Sequence, residues 1–576
     1  MQSLKTYLKR LKVSYELPNM KKVYVINDLD DPPNQATFKP DKGKEMTVEQ
    51  YFRNTKNLPL RYSYLPTLWV GNTTRRPKIL LPMEFCTLVP GQPVTKSMTE
   101  KQVRSMIKEV SQNTQVRLGK IQQSVNSLNY NSHPVMKEFG LTVNTTPEEV
   151  EARILEPPLL QYREANRSVS RGVWQGGRFI EGAKLDNWTI VCLDNRTGDD
   201  TLKDLGKQLM NAASQSGVFV GPPQPAFHRL RDARDLKDYF SKNSYKLVIV
   251  ILSNRDDCYS QVKRASELMT GCLTQCIKPK TISRGIQRAT VSNILLKINA
   301  KLNGRNHSIP TLPLLRDGRP AIIMGADVTH PGSSNFPSIA AVTASYDVNF
   351  FKYRFEWRLQ PPRKEMIDDL KAITMDHLKF YYRCNRAKPE TIVYIRDGVS
   401  DGQFIEVLQV ELNAIRAACM QLTADYKPAI VFIVVQKRHR TRFFPKDPRI
   451  SEDANMNVPA GTCVDSVITH PSLVDFYLVS HASIKGVARP TKYVKLWDDL
   501  NMSEDEVEKL MYYLCHMYTR CNRSVSYPAP TYYAHHAAAR AKTYCDKNID
   551  VSRLEHEQSK LQIRDNIKQN SPMFFV

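Results

Sequence analysis

Residues 321–327 read AIIMGAD and residues 391–397 read TIVYIRD. Each is a strand-length apolar run that stops at an aspartate, Asp327 before VTHPG and Asp397 before GVSDGQF. Runs this short, rich in β-branched residues and closed by turn residues, predict buried strands. Two such strands in one sheet bring their terminal carboxylates to one edge, where they can hold two divalent cations about 4 Å apart. Hard oxygen ligands suit Mg2+ or Mn2+, which activate water against a phosphodiester. Strand-end aspartates are also common turn residues and helix caps, so these two alone leave that reading open.

Working outward, 338–346 and 429–435 are further strands, and helical patterns run through 365–382 and 402–419. Upstream, WTIVCLD (188–194) is a strand, DLGKQLMNAASQSG (204–217) a helix ending at Gly217, and KLVIVIL (246–252) a buried strand. Helical stretches follow from Asp256 to about Thr270 and over 293–302. Strands alternating with helices predict α/β units, the first with a parallel sheet. Residues 1–95 read instead as a small β domain with strands over 20–27, 60–63 and 67–70. Thr99 caps a helix in TEKQVRSMIKEVSQ, and 96–187 is a linker of mixed helices and loops. The chain is thus multidomain α/β, divided at 1–95, 96–187, 188–305 and 306–576.

Lys and Arg number 82 against 58 Asp and Glu, a net charge of +24, which makes phosphate backbones the leading partner class. No apolar run is long enough to span a bilayer, so membrane insertion is not expected. Residues 1–17 lack the apolar core of a signal peptide, and the eleven cysteines include no CxxC pair. Reduced thiols and a cytoplasmic or nuclear protein are expected.

Tyr259 and Lys263 are four apart in CYSQVKRA and share a helix face; Lys297 and Lys301 repeat the spacing in NILLKINAKL. Converging cations suit a terminal phosphate with nearly two negative charges, and a ring beside them can stack a base. Two solvated basic helix faces would give the same spacing.

GADVTHP, YIRDGVSDGQF, VVQKRHRTRFF, VPAGTCVDSVITHP, DFYLVSHASIKGVARP and YPAPTYYAHHAAARA occur in this order. Together they resemble the PIWI domain of the Argonaute family, and GADVTHP favours its Argonaute branch over its Piwi branch. The resemblance covers nearly the whole chain. It implies a PAZ β-barrel over 1–95, the family's second linker over 96–187, a Rossmann-like MID domain over 188–305 and a ribonuclease H-like PIWI domain over 306–576. The N domain and the first PAZ strands find no counterpart, so PAZ is expected to be N-terminally incomplete.

The resemblance also implies site residues. Asp327, Glu365, Asp397 and His535 match the catalytic set, with Asp327, Asp397 and His535 at the metals and Glu365 inserting from a loop. His536 is then the structural histidine of the pair. Tyr259, Lys263, Gln275, Lys297 and Lys301, with Arg540 and the carboxylate of Val576, match the pocket for a guide 5′-phosphate. Asp256 and Asp257 make the loop ahead of it more acidic than is usual in the family. Arg489 matches a guide-phosphate contact, and Ile107 a residue that wedges between guide bases, although periodicity alone makes Ile107 a core residue. The run Arg438, His439, Arg440 and Arg442 suits a nucleic-acid backbone. Tyr24, Phe38 and Tyr51 match the aromatic pocket for the guide 3′ end, with Lys56 where the family often has histidine.

The implied activity is RNA-guided RNA silencing by a metal-dependent endoribonuclease that leaves a 3′-hydroxyl and a 5′-phosphate. Its implied partners are a small guide RNA (siRNA or miRNA), target mRNA and Gly-Trp-repeat silencing scaffolds. A guide-loaded silencing factor that recruits partners without efficient cleavage is the alternative. A guide-free nuclease or transposase would keep the carboxylates but has no use for the Tyr259–Lys263 pocket.

Overall fold

A computed structural model describes residues 2–18, 20–40, 44–73, 78–94, 98–255, 257–283, 285–315, 318–331, 336–545 and 549–576. Asp256 of the acidic loop lies outside the described residues. The chain forms two compact units, Met1–Val110 and Ser111–Val576. The division falls inside the stretch read as linker, so helix Glu100–Val110 belongs to the first unit.

The first unit is an antiparallel sheet of five strands: β1 (Lys12–Leu17), β2 (Met20–Asp30), β3 (Thr67–Val70), β4 (Ile79–Leu81) and β5 (Cys86–Leu88), ordered β4-β3-β2-β1-β5. A helix over Val48–Asn54 packs Val48 and Phe52 into its core. Thr47 and Gln50 close a reciprocal capping box at its start. The strand expected over 60–63 is bend and turn instead, with Leu65 N–H donating to the Tyr62 carbonyl (3.0 Å). Pro59 and Pro66 flank that stretch and cannot donate to a ladder.

Among the described residues, the second unit holds two large sheets besides two short two-stranded pairs. The smaller is all parallel: β6 (Trp188–Cys192), β7 (His228–Arg229), β8 (Leu247–Ile251) and β9 (Thr274–Ile277), ordered β7-β6-β8-β9. Helix Asp199–Ser216 ends at Gly217 in the left-handed region, as the sequence predicts. Helix Cys258–Lys263 runs on into a π-helical turn, Arg264–Thr270.

The larger sheet has nine strands. Eight are β10 (Ala321–Thr329), β11 (Ser338–Ser345), β12 (Tyr353–Gln360), β13 (Thr391–Asp397), β14 (Ala429–Gln436), β15 (Thr462–Val464), β16 (Val474–Val479) and β17 (Thr491–Asp498). The order is β12-β11-β10-β13-β14-β17-β16-β15, and the ninth strand, linker residues Arg153–Ile154, pairs on the far edge of β15. Parallel β10, β13 and β14 form the centre and are buried along almost their whole length, which is why they read as continuous apolar runs. The helical pattern expected from 365 begins only at Leu370, and Glu365 stays in the loop before it.

Helix Ala529–Tyr544 crosses β10 and β11 at close range. A Cβ on Gly325 would collide with the Pro530 backbone, so a glycine in mid-strand is what admits the helix. Thr343 Oγ1 fixes the contact by donating to the Pro530 carbonyl (2.7 Å).

Candidate active site and anion pocket

β10 and β13 are neighbouring parallel strands, so Asp327 and Asp397 reach the same edge of the sheet. The helix admitted by Gly325 brings His535 between them. Its Nδ1 is 3.0 Å from Asp327 Oδ2 and its Nε2 is 2.9 Å from Asp397 Oδ2. One ligand atom from each of the three residues lies within 4.8 Å of the others. Burial opposes charge on the His535 ring, but the two carboxylates outweigh it and hold its pKa up at about 10. Burial likewise opposes charge on Asp327, and His535 and Arg396 override it to keep the carboxyl below its ordinary range. Nε2 of His535, though close to Asp397, is buried without a well-formed hydrogen bond. The two carboxylate oxygens, with the imidazole once it gives up its proton, are a donor set that could hold a divalent cation. His536 faces away, stacked on Tyr518 and Tyr532 and bonded to the Tyr518 hydroxyl (2.6 Å).

Glu365 stands beside this trio rather than within it. Its Oε2 pairs with His330 Nε2 (2.7 Å), and its Oε1 accepts from Arg396 Nη1 (3.0 Å). Arg396 also donates to the Glu365 carbonyl (2.5 Å) and to the Asp397 carbonyl. A Cβ on Gly398, whose φ is +91°, would come within 3.0 Å of Glu365 Oε1. Glycine after Asp397 therefore both permits the turn and leaves room for the glutamate. Sequence reasoning does not single out His330 and Arg396; their place in the GADVTHP and YIRDG motifs is the signal that could find them.

The second constellation also converges. Lys263, 1% exposed, donates to Thr274 Oγ1 (2.8 Å), and Lys301 donates to the Thr274 carbonyl (3.0 Å). Arg540, on the helix that carries His535, donates to Glu267 Oε1 (2.6 Å), which also pairs with Lys263 (3.2 Å). Tyr544 bonds the other Glu267 oxygen (2.5 Å). The Tyr259 ring centre is 5.9 Å from both Lys263 Nζ and the Arg540 guanidinium carbon. Gln275 lines the same region with Oε1 buried and unpartnered, and Arg540 reaches the Phe575 carbonyl (3.2 Å) next to buried Val576. Burial first, then Arg520, pushes the Lys297 ammonium down to about 8. Glu267 escapes a sequence reading because a buried acid among lysines has no sequence pattern.

Arg489 is exposed and close enough to Arg442 and His439 to depress both, after burial. Lys437, pushed down to about 8 by burial and Arg489, lies 4.7 Å over the Tyr527 ring, which packs 5.1 Å from His535. A basic wall thus extends to the carboxylates. Elsewhere in this unit, Phe380, Tyr382, Lys388, Leu422 and Tyr426 line a cavity of about 850 Å3.

In the first unit, Phe38 and Tyr51 meet edge to face (5.3 Å), Lys56 lies 5.8 Å from the Tyr51 ring, and Tyr24 packs on the same core. Ile107 is 37% exposed on its helix, so it is not a core residue of this unit.

A profile of the Piwi domain matches residues 246–546, one of the PAZ domain residues 1–107, and one of the Argonaute linker 2 domain residues 116–162. The structure is similar to that of Kluyveromyces polysporus Argonaute with a guide RNA, at 23% identity and a TM-score of 0.74 over 100% of this chain and 68% of that one. It is also similar to the C-terminal lobe of a budding yeast Argonaute (26%, 0.65, 74% and 95%) and to Drosophila Piwi (22%, 0.66, 100% and 75%). Fold and site define a multidomain α/β protein with PAZ, linker and Piwi domains. The Piwi match alone spans more than half of the sequence, and the chain belongs to the Argonaute family.

Proposed function

We propose that this protein binds a small guide RNA by its 5′-phosphate and cuts complementary target RNA at the Asp327 centre. The convergence of Asp327, Asp397 and His535 within 4.8 Å carries the reading. These three would hold Mg2+ or Mn2+, which when bound supplies acidity to water and stabilises a leaving oxygen. Glu365, fixed by Arg396 and His330, is placed to accept a proton from the attacking water. Lys437, Arg442 and Arg489 offer the RNA backbone several cations whose mutual repulsion a polyanion relieves.

At the other pocket, Lys263, Lys301 and Arg540 gather round the Glu267 carboxylate, and Lys297 adds a further cation beside Lys263. That imbalance favours a terminal phosphate over a neutral hydroxyl. A guide-free nuclease has no need of it. Gly-Trp-repeat scaffolds are the protein partners the family implies, and the 850 Å3 cavity lined by Phe380, Tyr382 and Tyr426 is the place proposed for their tryptophan side chains.

The test loads a synthetic 5′-phosphorylated guide and follows a labelled complementary RNA in Mg2+. Cleavage at one position, leaving a 3′-hydroxyl and a 5′-phosphate, lost with EDTA and in Asp327→Ala, is expected. Cutting by Asp327→Ala at the unaltered rate would remove the catalytic assignment. Guide retention with no cleavage in any divalent ion would leave a silencing factor that acts by recruitment.

A further inference from the structure

Glu411 lies in a π-helical turn, Leu408–Leu412, on the helix that follows the Asp397 strand. Its side chain is fully buried. A carboxylate is costly to bury unless it is paired and hydrogen-bonded, and Glu411 is both. Oε1 accepts from the Ile367 backbone N–H (3.1 Å) and from Arg396 Nε (3.2 Å). Oε2 accepts from the Tyr394 hydroxyl (2.8 Å) and again from Arg396 Nε (3.1 Å).

Every one of these partners leads to the catalytic centre. Tyr394 and Arg396 belong to the strand that ends in Asp397, and Ile367 follows Glu365 by two residues. Arg396 passes the connection on, gripping Glu365 through both its carboxylate and its carbonyl. The π turn fits the same picture, since such irregular turns concentrate at functional sites.

From this chain of contacts we infer that Glu411 is a positioning residue, which seats Glu365 through Arg396 on one side and through the Ile367 backbone on the other. The inference rests on reading the Asp327 centre as a metal-dependent nuclease. A buried acid that merely neutralised Arg396 would have no reason to hold the Glu365 loop as well.

Two substitutions separate the contributions. Glu411→Gln keeps the volume and an acceptor for Ile367 but removes the charge that holds Arg396; Glu411→Met removes both. In the guide-loaded protein, Glu411→Gln is expected to slow cutting about tenfold and Glu411→Met about a hundredfold, with a similar rise in the Mg2+ needed for half-maximal rate. Guide affinity stays within about twofold, because the basic pocket is untouched. Two readouts are independent of cutting. Because Arg396 also holds the carbonyl of the metal-site residue Asp397, calorimetric Mn2+ titration should show weakened binding in both variants. Hydrogen exchange of a peptide spanning 361–369 should accelerate in Glu411→Met and much less in Glu411→Gln.

If Asp327→Ala abolishes cutting while both Glu411 variants keep normal metal affinity and normal exchange over 361–369, the inference is wrong and the nuclease reading stands. If Asp327→Ala cuts normally, the nuclease reading falls, and the inference with it. Should the Glu411 variants fail to bind guide, Tyr394→Phe decides between the outcomes in a folded background, because it removes one of the bonds that orient Glu411. A raised Mg2+ requirement there supports the inference, and an unchanged one overturns it.

Discussion

His535 and Asp327 meet at 3.0 Å only because the helix of one lies against the strand of the other at Gly325. Strand and helix come from distant parts of the sequence, and the site exists where their backbones touch. Gly325→Ala should therefore act at a distance. The added methyl has to displace Pro530, at a cost of about 1–3 kcal/mol. Cutting should fall much further than guide binding, because tilting the helix moves His535 first. Thermal unfolding beside a cleavage assay checks this; a stable, fully active Gly325→Ala protein would contradict the contact.

Removing the histidine itself should have a conditional effect. Asp327 and Asp397 are largely buried, and His535 is the cation between them in the absence of metal. His535→Ala leaves two facing carboxylates and should lower stability by about 1–3 kcal/mol in EDTA. Added Mg2+ should recover part of that loss without restoring cutting. Equal melting with and without Mg2+ would argue against a cation site.

The pocket around Lys263, if it takes the guide 5′ end as proposed, should discriminate by charge. Lys263→Ala removes a charged group from a buried cluster, and each charge-assisted hydrogen bond is worth about 1.5–3 kcal/mol. Guides with a 5′-phosphate should bind better than 5′-hydroxyl guides, and Lys263→Ala should erase most of the difference. Competition binding at moderate salt measures it.

That preference should also depend on pH. Lys297 is held at about 8, so it carries its charge at pH 7 and loses most of it by pH 9. The advantage of a 5′-phosphate should shrink over that interval. Lys297→Arg, which keeps its charge at both pH values, should flatten the profile.

Acid should destabilise the second unit through its interior histidines. Burial pushes His307 and His516 down to about 4, whereas an unfolded histidine titrates near 6.5. Between those values the unfolded chain binds more protons, so stability falls as pH drops through the window. By pH 5 the loss is about 2 kcal/mol for each residue. Urea unfolding from pH 7 to 5 should show this slope, and His307→Gln or His516→Gln should each reduce it.

The legible parts of the molecule are those whose reason is local. β10, β13 and β14 are buried along most of their length, so their apolar runs announce them, and Asp327 and Asp397 stand where those runs stop. The helix ending at Gly217 carries its own stop signal. β12 is not legible, because YRFEWRLQ sets Arg354 and Glu356 along a buried strand, where their pairing (2.5 Å) and partners such as the Asp376 carbonyl and Lys568 make that tolerable. Glu267, Glu411 and Arg396 hide for the same reason: each is a buried charge whose partners come from elsewhere in the chain. Ordered motifs single out Glu365, while its loop position gives no periodic signal.

The short pairing of Arg153–Ile154 with β15 also bears on how the protein should be handled in the laboratory. Arg153 is bound to Asp465 (2.6 Å), Asp505 (2.6 Å) and Glu508 (2.7 Å), so these linker residues fasten the rim of the nine-stranded sheet. A recombinant fragment trimmed to begin at residue 188 would bare that rim and strand three acidic side chains, inviting self-association during purification. A fragment begun at Ser111 keeps the border covered and is the sounder starting material for crystallisation and binding work.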